Sequence, residues 1–153
     1  MSISEIADII ASVVAVLAFA FTILVQYINS QRTRKAETIK AFNLLQNESL
    51  DKLAELNKTN AKNIVSGKSE SEAFRAAYYD YKVLIARVEH FAIGVNNKVY
   101  DFNIVDELAG EHLVYLYNRV KPIIDEANKR NLDNSYYGAY SNLVEKLKKK
   151  HHI

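Results

Sequence analysis

The chain of 153 residues contains no cysteine, no tryptophan, one proline and four glycines. The absence of cysteine excludes disulfides and thiolate metal sites in this sequence. The scarcity of glycine and proline leaves few turn-forming residues, which favours long helices over a fold made of many hairpins. Acidic and basic residues are also missing from one long internal run, Ile9 to Gln31.

This uncharged run is long enough to cross a membrane. About 20 residues of helix span a hydrocarbon layer of about 30 Å. The sequence therefore predicts a single transmembrane helix over residues 1–31. A secretory signal peptide and a buried core helix are the alternatives, but a signal peptide begins with basic residues, whereas this chain begins with Glu5 and Asp8.

Basic residues after the run set its expected orientation. Arg32, Arg34 and Lys35 follow it directly. Because such residues favour the cytoplasmic side of a span, we expect the C-terminal part in the cytoplasm and residues 1–8 outside. The expected location is the bacterial inner membrane, crossed once.

One row of residues along the run, at alternating spacings of three and four, is small or polar at most of its positions. We call this row the seam, and it comprises Ser4, Asp8, Ala11, Ala15, Ala18, Thr22, Val25 and Asn29. Helices in lipid associate through small residues, so the seam predicts a homo-oligomer, with a tetramer favoured. Thr22 and Asn29 would then line a narrow polar path, and Asp8 would form an acidic ring that attracts cations. The alternative is that alanine is simply common in membrane helices and the spacing is coincidence.

The remaining chain predicts an all-α fold, a transmembrane helix that continues into a small cytosolic helical bundle. All 20 lysines and arginines follow residue 31, together with every acidic residue except Glu5 and Asp8. This mild basic excess does not by itself indicate nucleic-acid binding. Three segments are expected: the transmembrane helix (1–31), a juxtamembrane helix and loop (32–68) and the helical cytosolic domain (69–150).

Details of the helices can also be predicted. The juxtamembrane helix is expected to reach residue 57, with a cap interrupting it near 47–49, and 58–68 is expected to be a loop. Asn103 is expected to cap a brief helix that stops at Gly110. Pro122 should kink or split the helix that follows, since proline lacks the amide hydrogen.

No group of residues indicates chemistry. Glu89-His90 and Glu111-His112 are adjacent pairs, which point in different directions on a helix and lack the spacing of metal ligands. Glu89 is expected to form an ion pair or a hydrogen bond. With no phosphate loop or nucleophile motif present, we expect no enzyme, no metal and no cofactor.

Tyrosine is enriched, with ten residues. Apolar residues recur at helical spacing after residue 31 and form stripes that are expected to face the core. Their members include Phe42, Leu53, Tyr81, Ile85, Val88, Leu113, Leu116, Ile123, Tyr140, Leu143 and Leu147. Tyr79, Tyr115 and one of Tyr136 and Tyr137 fall off these stripes and are expected to be exposed. Exposed aromatics beside cations stack bases and hold phosphates in single-strand binders. The predicted ligand-binding residues are therefore Arg75, Tyr79, Lys82, Tyr115, Arg119 and Lys121. A tyrosine-rich subunit interface is the alternative.

Three short motifs resemble a helical domain of unknown function found in small bacterial and prophage membrane proteins. They are Arg87-X-Glu89-X-X-Ala92-X-Gly94-Val95, Val99-Tyr100-Asp101 and Pro122-Ile123-Ile124. In size and layout the chain is also similar to the membrane effector of the Hailong anti-phage system. That resemblance implies an oligomeric ion channel held shut by a DNA oligomer and paired with a nucleotidyltransferase.

Together these features predict an oligomeric membrane effector, an ion channel controlled by a nucleotide or single-stranded DNA oligomer bound to the cytosolic bundle. Its expected role is in anti-phage defence, with a nucleotidyltransferase as partner. The alternative is a passive membrane anchor or superinfection-exclusion protein that recruits a protein partner.

Overall fold

The structure, a computed structural model, describes residues 2–57, 72–130 and 136–152. Every regular element in these ranges is helical, which confirms the all-α fold. The predicted loop over 58–68 lies outside the described residues. The chain forms two compact units, Met1–Ala36 and Glu37–Ile153.

Nearly all of the first unit is the N-terminal part of one long helix, α1. This helix spans Ile3–Leu45, so its last residues are counted in the second unit. Its apolar residues are exposed throughout the uncharged run. Among the described residues, this is the one helix long and apolar enough to cross a membrane, judged by length and composition.

The second unit is a helical bundle. After α1 come a π-helical turn over Gln46–Leu50, α2 (Asp51–Asn57), α3 (Glu72–Asn96), α4 (Phe102–Arg130) and α5 (Gly138–His151). The helix α3 packs against α4, α5, the π turn and α2. The core carries the leucines, valines and aromatics of the predicted stripes, chiefly Phe42, Leu53, Tyr81, Ile85, Val88, Leu113, Leu116, Ile123, Tyr140, Leu143 and Leu147.

The helix expected after residue 31 is present, but its interruption differs from the expected cap. At Gln46–Leu50 the helix widens into a π turn instead of ending, and the amide of Asp51 donates to the carbonyl of Gln46. Ser49 and Leu50 in this turn are fully buried.

The predicted details of α4 have mixed outcomes, and the predicted cap is wrong. Asp101, not Asn103, caps its start, because the Asp101 carboxylate accepts from the amides of Asn103 (3.0 Å) and Ile104 (3.4 Å). The end of the brief helix, expected at Gly110, is confirmed to within one residue, because the helical backbone breaks at Ala109, where φ is −162° and ψ is 26°. Pro122 does not split the helix that follows. Pro122 is half-buried inside a helix that continues to Arg130.

Candidate functional site

The seam of α1 is exposed in the first unit. Asp8, Ala11, Ala15, Ala18, Thr22 and Asn29 all lie at the surface of the chain. The Thr22 hydroxyl donates to the Ala18 carbonyl at 2.8 Å, and the Ser12 hydroxyl donates to the Asp8 carbonyl at 2.8 Å. These hydroxyls thus satisfy their donors inside their own helix and keep only acceptor lone pairs for a neighbour or for water.

Two of the predicted ligand-binding residues described by the structure lie on α3. Tyr79 is 67% exposed and lines a cavity of about 520 Å³ between the α3 surface and the π turn and α2. The Lys82 ammonium lies 5.8 Å from the centroid of the Tyr78 ring. The backbone of Arg75 belongs to α3, but its side chain lies outside the described residues.

The other three predicted ligand-binding residues lie on α4. Arg119 Nε donates to the Tyr115 hydroxyl at 3.2 Å, and its guanidinium carbon lies 5.4 Å from the Tyr115 ring centroid. Lys121 pairs with Asp125 at 3.0 Å, and this hydrogen bond raises the pKa of Lys121. Arg119 and Lys121 are thus already engaged by neighbours one helical turn away.

The structure places Tyr79 and Tyr115 in separate cavities. Tyr115 lines one of about 780 Å³ beside Asp106, Glu107 and Glu111. The acidic walls of that cavity oppose an anionic ligand. The six predicted residues therefore do not form one common site among the described side chains.

The prediction that one of Tyr136 and Tyr137 is exposed is confirmed. Tyr136 is exposed, whereas Tyr137 is buried in a left-handed backbone conformation with φ of 66°. Burial raises the pKa of Tyr137 to about 12 and raises the pKa of Tyr140 as well. Tyr140 donates its hydroxyl to the Leu113 carbonyl at 2.8 Å, and this buried hydrogen bond joins α5 to α4.

Residues of the first sequence motif join the helices of the bundle. Arg87 on α3 pairs with Glu48 of the π turn at 3.0 Å. The Glu89 carboxylate accepts from the backbone amides of Ala139 (2.8 Å) and Tyr140 (2.7 Å) at the start of α5. A carboxylate at this end satisfies free amides and complements the helix dipole. The hydrogen-bonding role expected for Glu89 is confirmed.

Gly94 and the second motif form the joint between α3 and α4. A Cβ atom on Gly94 would lie 2.5 Å from the Tyr100 ring, which stacks on Phe91 with centroids 5.2 Å apart. The Gly94 carbonyl accepts from the amides of Val99 and Tyr100. The next amide, that of Asp101, donates to the Thr38 hydroxyl at 2.8 Å. Only a glycine leaves this space for the tyrosine ring.

The motifs that build these joints lie inside a recognised family domain. A family model described as a domain of unknown function, DUF4760, matches residues 5–147. The chain belongs to the DUF4760 family. The match includes the uncharged run of α1, so it extends well beyond the three sequence motifs, the first of which begins at Arg87. No curated protein and no solved structure matches the chain.

One cluster of the DUF4760 bundle was missed by sequence reasoning. Asp106 on α4 contacts Lys150 Nζ at 2.8 Å and His151 Nε2 at 2.6 Å at the end of α5. Burial of the Asp106 carboxyl raises its pKa, but the hydrogen bonds and charges of Lys150 and His151 outweigh this and lower the pKa below its usual value. No local pattern signals contacts between residues 45 apart in sequence.

Among the described residues of the DUF4760 bundle, no three histidine, aspartate or glutamate side chains come together as metal ligands. The described residues offer grooves with mixed apolar and charged walls beside α3 and α4, and the exposed small-residue seam in the first unit.

Proposed function

We propose that this DUF4760 protein is an oligomeric membrane effector whose α1 helices associate along the seam and enclose an ion path. The supporting observation is a single apolar helix with small and polar residues repeated along one exposed face. Hydrophobic burial does not drive association in lipid, so close backbone approach at Ala11, Ala15 and Ala18 would supply the contact. The family match includes this helix together with the bundle.

The proposed trigger is a ligand bound to the bundle on the cytoplasmic side of the bacterial inner membrane. A ligand shifts a closed–open equilibrium only through its different affinities for the two states. The resemblance in layout to the Hailong effector suggests a nucleotide or DNA oligomer, a nucleotidyltransferase partner and a role in anti-phage defence. The exposed ring of Tyr79, outside the acidic cavity of Tyr115, offers one surface on which a base could stack.

Cysteine crosslinking tests the seam directly, because the native chain has no cysteine. Ala15→Cys and Ala18→Cys should form disulfide dimers in oxidised membranes, whereas Val13→Cys and Val16→Cys on the opposite side of the helix should form few. Equal crosslinking of the two pairs would reject the seam. Release of the protein from membranes by a carbonate wash would contradict the prediction that α1 spans the membrane.

Conductance in a planar bilayer tests the ion path. The purified protein should conduct, and Ala15→Leu with Ala18→Leu should abolish conductance by separating the helices. The control variant Val13→Phe with Val16→Phe adds four carbon atoms at each site, against three at each seam alanine, but away from the seam, and should conduct normally. Absence of current and of depolarisation on overexpression, with and without phage, would contradict the channel.

A passive anchor that recruits a protein through exposed tyrosines is the second candidate. Tyr79, Tyr115 and Tyr136 remain exposed, and tyrosine is favoured at interfaces. For this function the two Ala→Leu changes in the seam would be harmless, while Tyr79→Ala or Tyr115→Ala would abolish activity.

A further inference from the structure

A third cavity, of about 370 Å³, lies within the second unit where the end of α1 and the π turn meet α3. Its apolar walls are Leu44 and Leu45 on one side and Phe91 and Tyr100 on the other. Glu48, Ser49, Arg87 and His90 supply its polar groups. None of the residues predicted from sequence to bind a ligand lines this cavity.

Ser49 is an unusual wall residue for such a cavity. Its side chain is fully buried, yet its hydroxyl has no hydrogen-bond partner among the described residues. Buried polar atoms nearly always have a partner, so an unpaired one needs an explanation. Ser49 also belongs to the π turn, a distortion that recurs at functional sites.

The polar groups of the cavity offer more donors than acceptors. Arg87, His90 and Ser49 can each donate a hydrogen bond, whereas Glu48 is the one carboxylate on the wall. Glu48 already accepts from Arg87 at 3.0 Å, and the two side chains are 50% and 48% exposed. Exposed ion pairs of this kind contribute little stability and exchange partners readily. The cavity is thus suited to a ligand that brings its own acceptor.

We propose that this cavity binds a small organic acid with a flat apolar body. The acid group replaces Glu48 at Arg87 with support from His90, and the body lies between the leucines and the stacked rings of Phe91 and Tyr100. Ser49 is the hydrogen-bonding group at the cavity wall. Because Glu48 lies in the π turn and Arg87 on α3, binding releases the ion pair that joins these two elements. The proposal does not require an ion path.

The absence of tryptophan provides a clean optical test. Leu44→Trp places a single fluorophore at the mouth of the cavity, and Val99→Trp places one at an exposed position that does not line it. The probe is 4-bromobenzoate, whose bromine quenches tryptophan, added to the full chain in nanodiscs. We expect saturable quenching of Trp at position 44 with a Kd of about 1 mM or tighter, as a fragment of this size can reach. The neutral 4-bromobenzamide should quench weakly at both positions.

Two charge variants make the test specific, since both break the same ion pair. Arg87→Gln removes the group that receives the acid and should weaken binding about tenfold or more. Glu48→Gln removes the competing carboxylate and should tighten it. A purely structural role for the pair would shift both variants in the same direction, which would overturn the proposal. Non-saturable quenching, or equal quenching at positions 44 and 99, would also overturn it.

A second measurement uses the chain without an added tryptophan, in case the reporter disturbs the fold. A ligand that binds only the folded state raises the thermal midpoint. 4-Bromobenzoate should raise the midpoint of the native chain and leave that of Arg87→Gln unchanged, with 4-bromobenzamide inactive on both. An equal rise for the native and Arg87→Gln chains would contradict the proposed site.

Discussion

At the level of single residues, two glycines of the bundle occupy very different surroundings. An added Cβ at Gly94 would lie 2.5 and 2.6 Å from two carbons of the Tyr100 ring, whereas at Gly138 it would meet nothing within 4 Å. The Tyr100 ring is held by its stack on Phe91. It therefore cannot move aside without losing that contact.

Gly94→Ala should lower the free energy of unfolding by about 1–3 kcal/mol, the usual cost of overpacking a well-packed joint. The matched change Gly138→Ala, in the first turn of α5, should be neutral or stabilise by up to about 1 kcal/mol. Thermal and urea denaturation followed by circular dichroism would measure both. Equal effects of the two substitutions would contradict the close approach of Tyr100 to Gly94.

Substitution of Glu89 is also expected to lower the free energy of unfolding clearly. Glu89→Gln replaces a carboxylate that accepts from two amides of α5, and hydrogen bonds to charged groups contribute about 1.5–3 kcal/mol each. We expect the bundle to lose about 1–3 kcal/mol, because one amide oxygen remains as an acceptor. Glu145→Gln changes the same charge at an exposed position of α5 and should cost less than about 0.5 kcal/mol. Comparable losses would argue against the capping role.

At the level of elements, the end of α5 is fastened to α4 through Asp106. Gly110 leaves room for this carboxylate, since a Cβ there would collide with Asp106 Oδ1. Because the folded-state pKa of Asp106 is lowered, the cluster contributes stability above the unfolded pKa of about 3.9. That contribution is lost as the pH falls through the folded-state value.

Asp106→Asn should therefore lower the thermal midpoint at neutral pH. The difference from the native chain should shrink as the pH falls through the folded-state pKa of Asp106, where the native carboxyl is also protonated. Lys149→Gln, one residue before the paired Lys150, serves as the charge control and should leave the pH profile unchanged. A midpoint difference that is the same at every pH would show that the charge of Asp106 is not involved.

How well each element could be predicted follows from where its signal lies. The stripes of α3 and α5 are local patterns, and their inward residues Tyr81, Val88, Tyr140 and Leu147 are buried as expected. The cap of α4 was expected at Asn103, whereas Asp101, a residue of an equally favoured capping type, caps the helix. Thr38 holds the Asp101 backbone from 63 residues away, a contact that one sequence does not reveal.

The candidate site also combines features that local spacing predicts with features that only the packing of the helices determines. Exposure of Tyr79 and Tyr115 was predictable from helical spacing, but their separation into two cavities was not. The partners of Arg87 and Glu89 lie 39 and about 50 residues away in sequence. Contacts between residues so far apart in sequence depend on how the helices pack. The sequence therefore shows the motif that contains Arg87 and Glu89, but it does not show which residues they contact.

At the level of the whole molecule, the basic residues after the apolar run predict a defined topology. In spheroplasts, a membrane-impermeant maleimide should label Ser2→Cys and should label Lys149→Cys only after lysis. The cysteine-free native chain provides the blank. Labelling of Lys149→Cys in intact spheroplasts would reverse the orientation and would place the bundle away from any cytoplasmic ligand.

The π turn at Gln46–Leu50 has a consequence for length variation among family members. Its hydrogen bond reaches from Asp51 back to Gln46, one residue further than in an α-helix, so the turn accommodates a single-residue insertion without unwinding. Removing the exposed residue Asn47 should convert the π turn into ordinary α-helix. We therefore expect family members to differ in length by one residue at this turn.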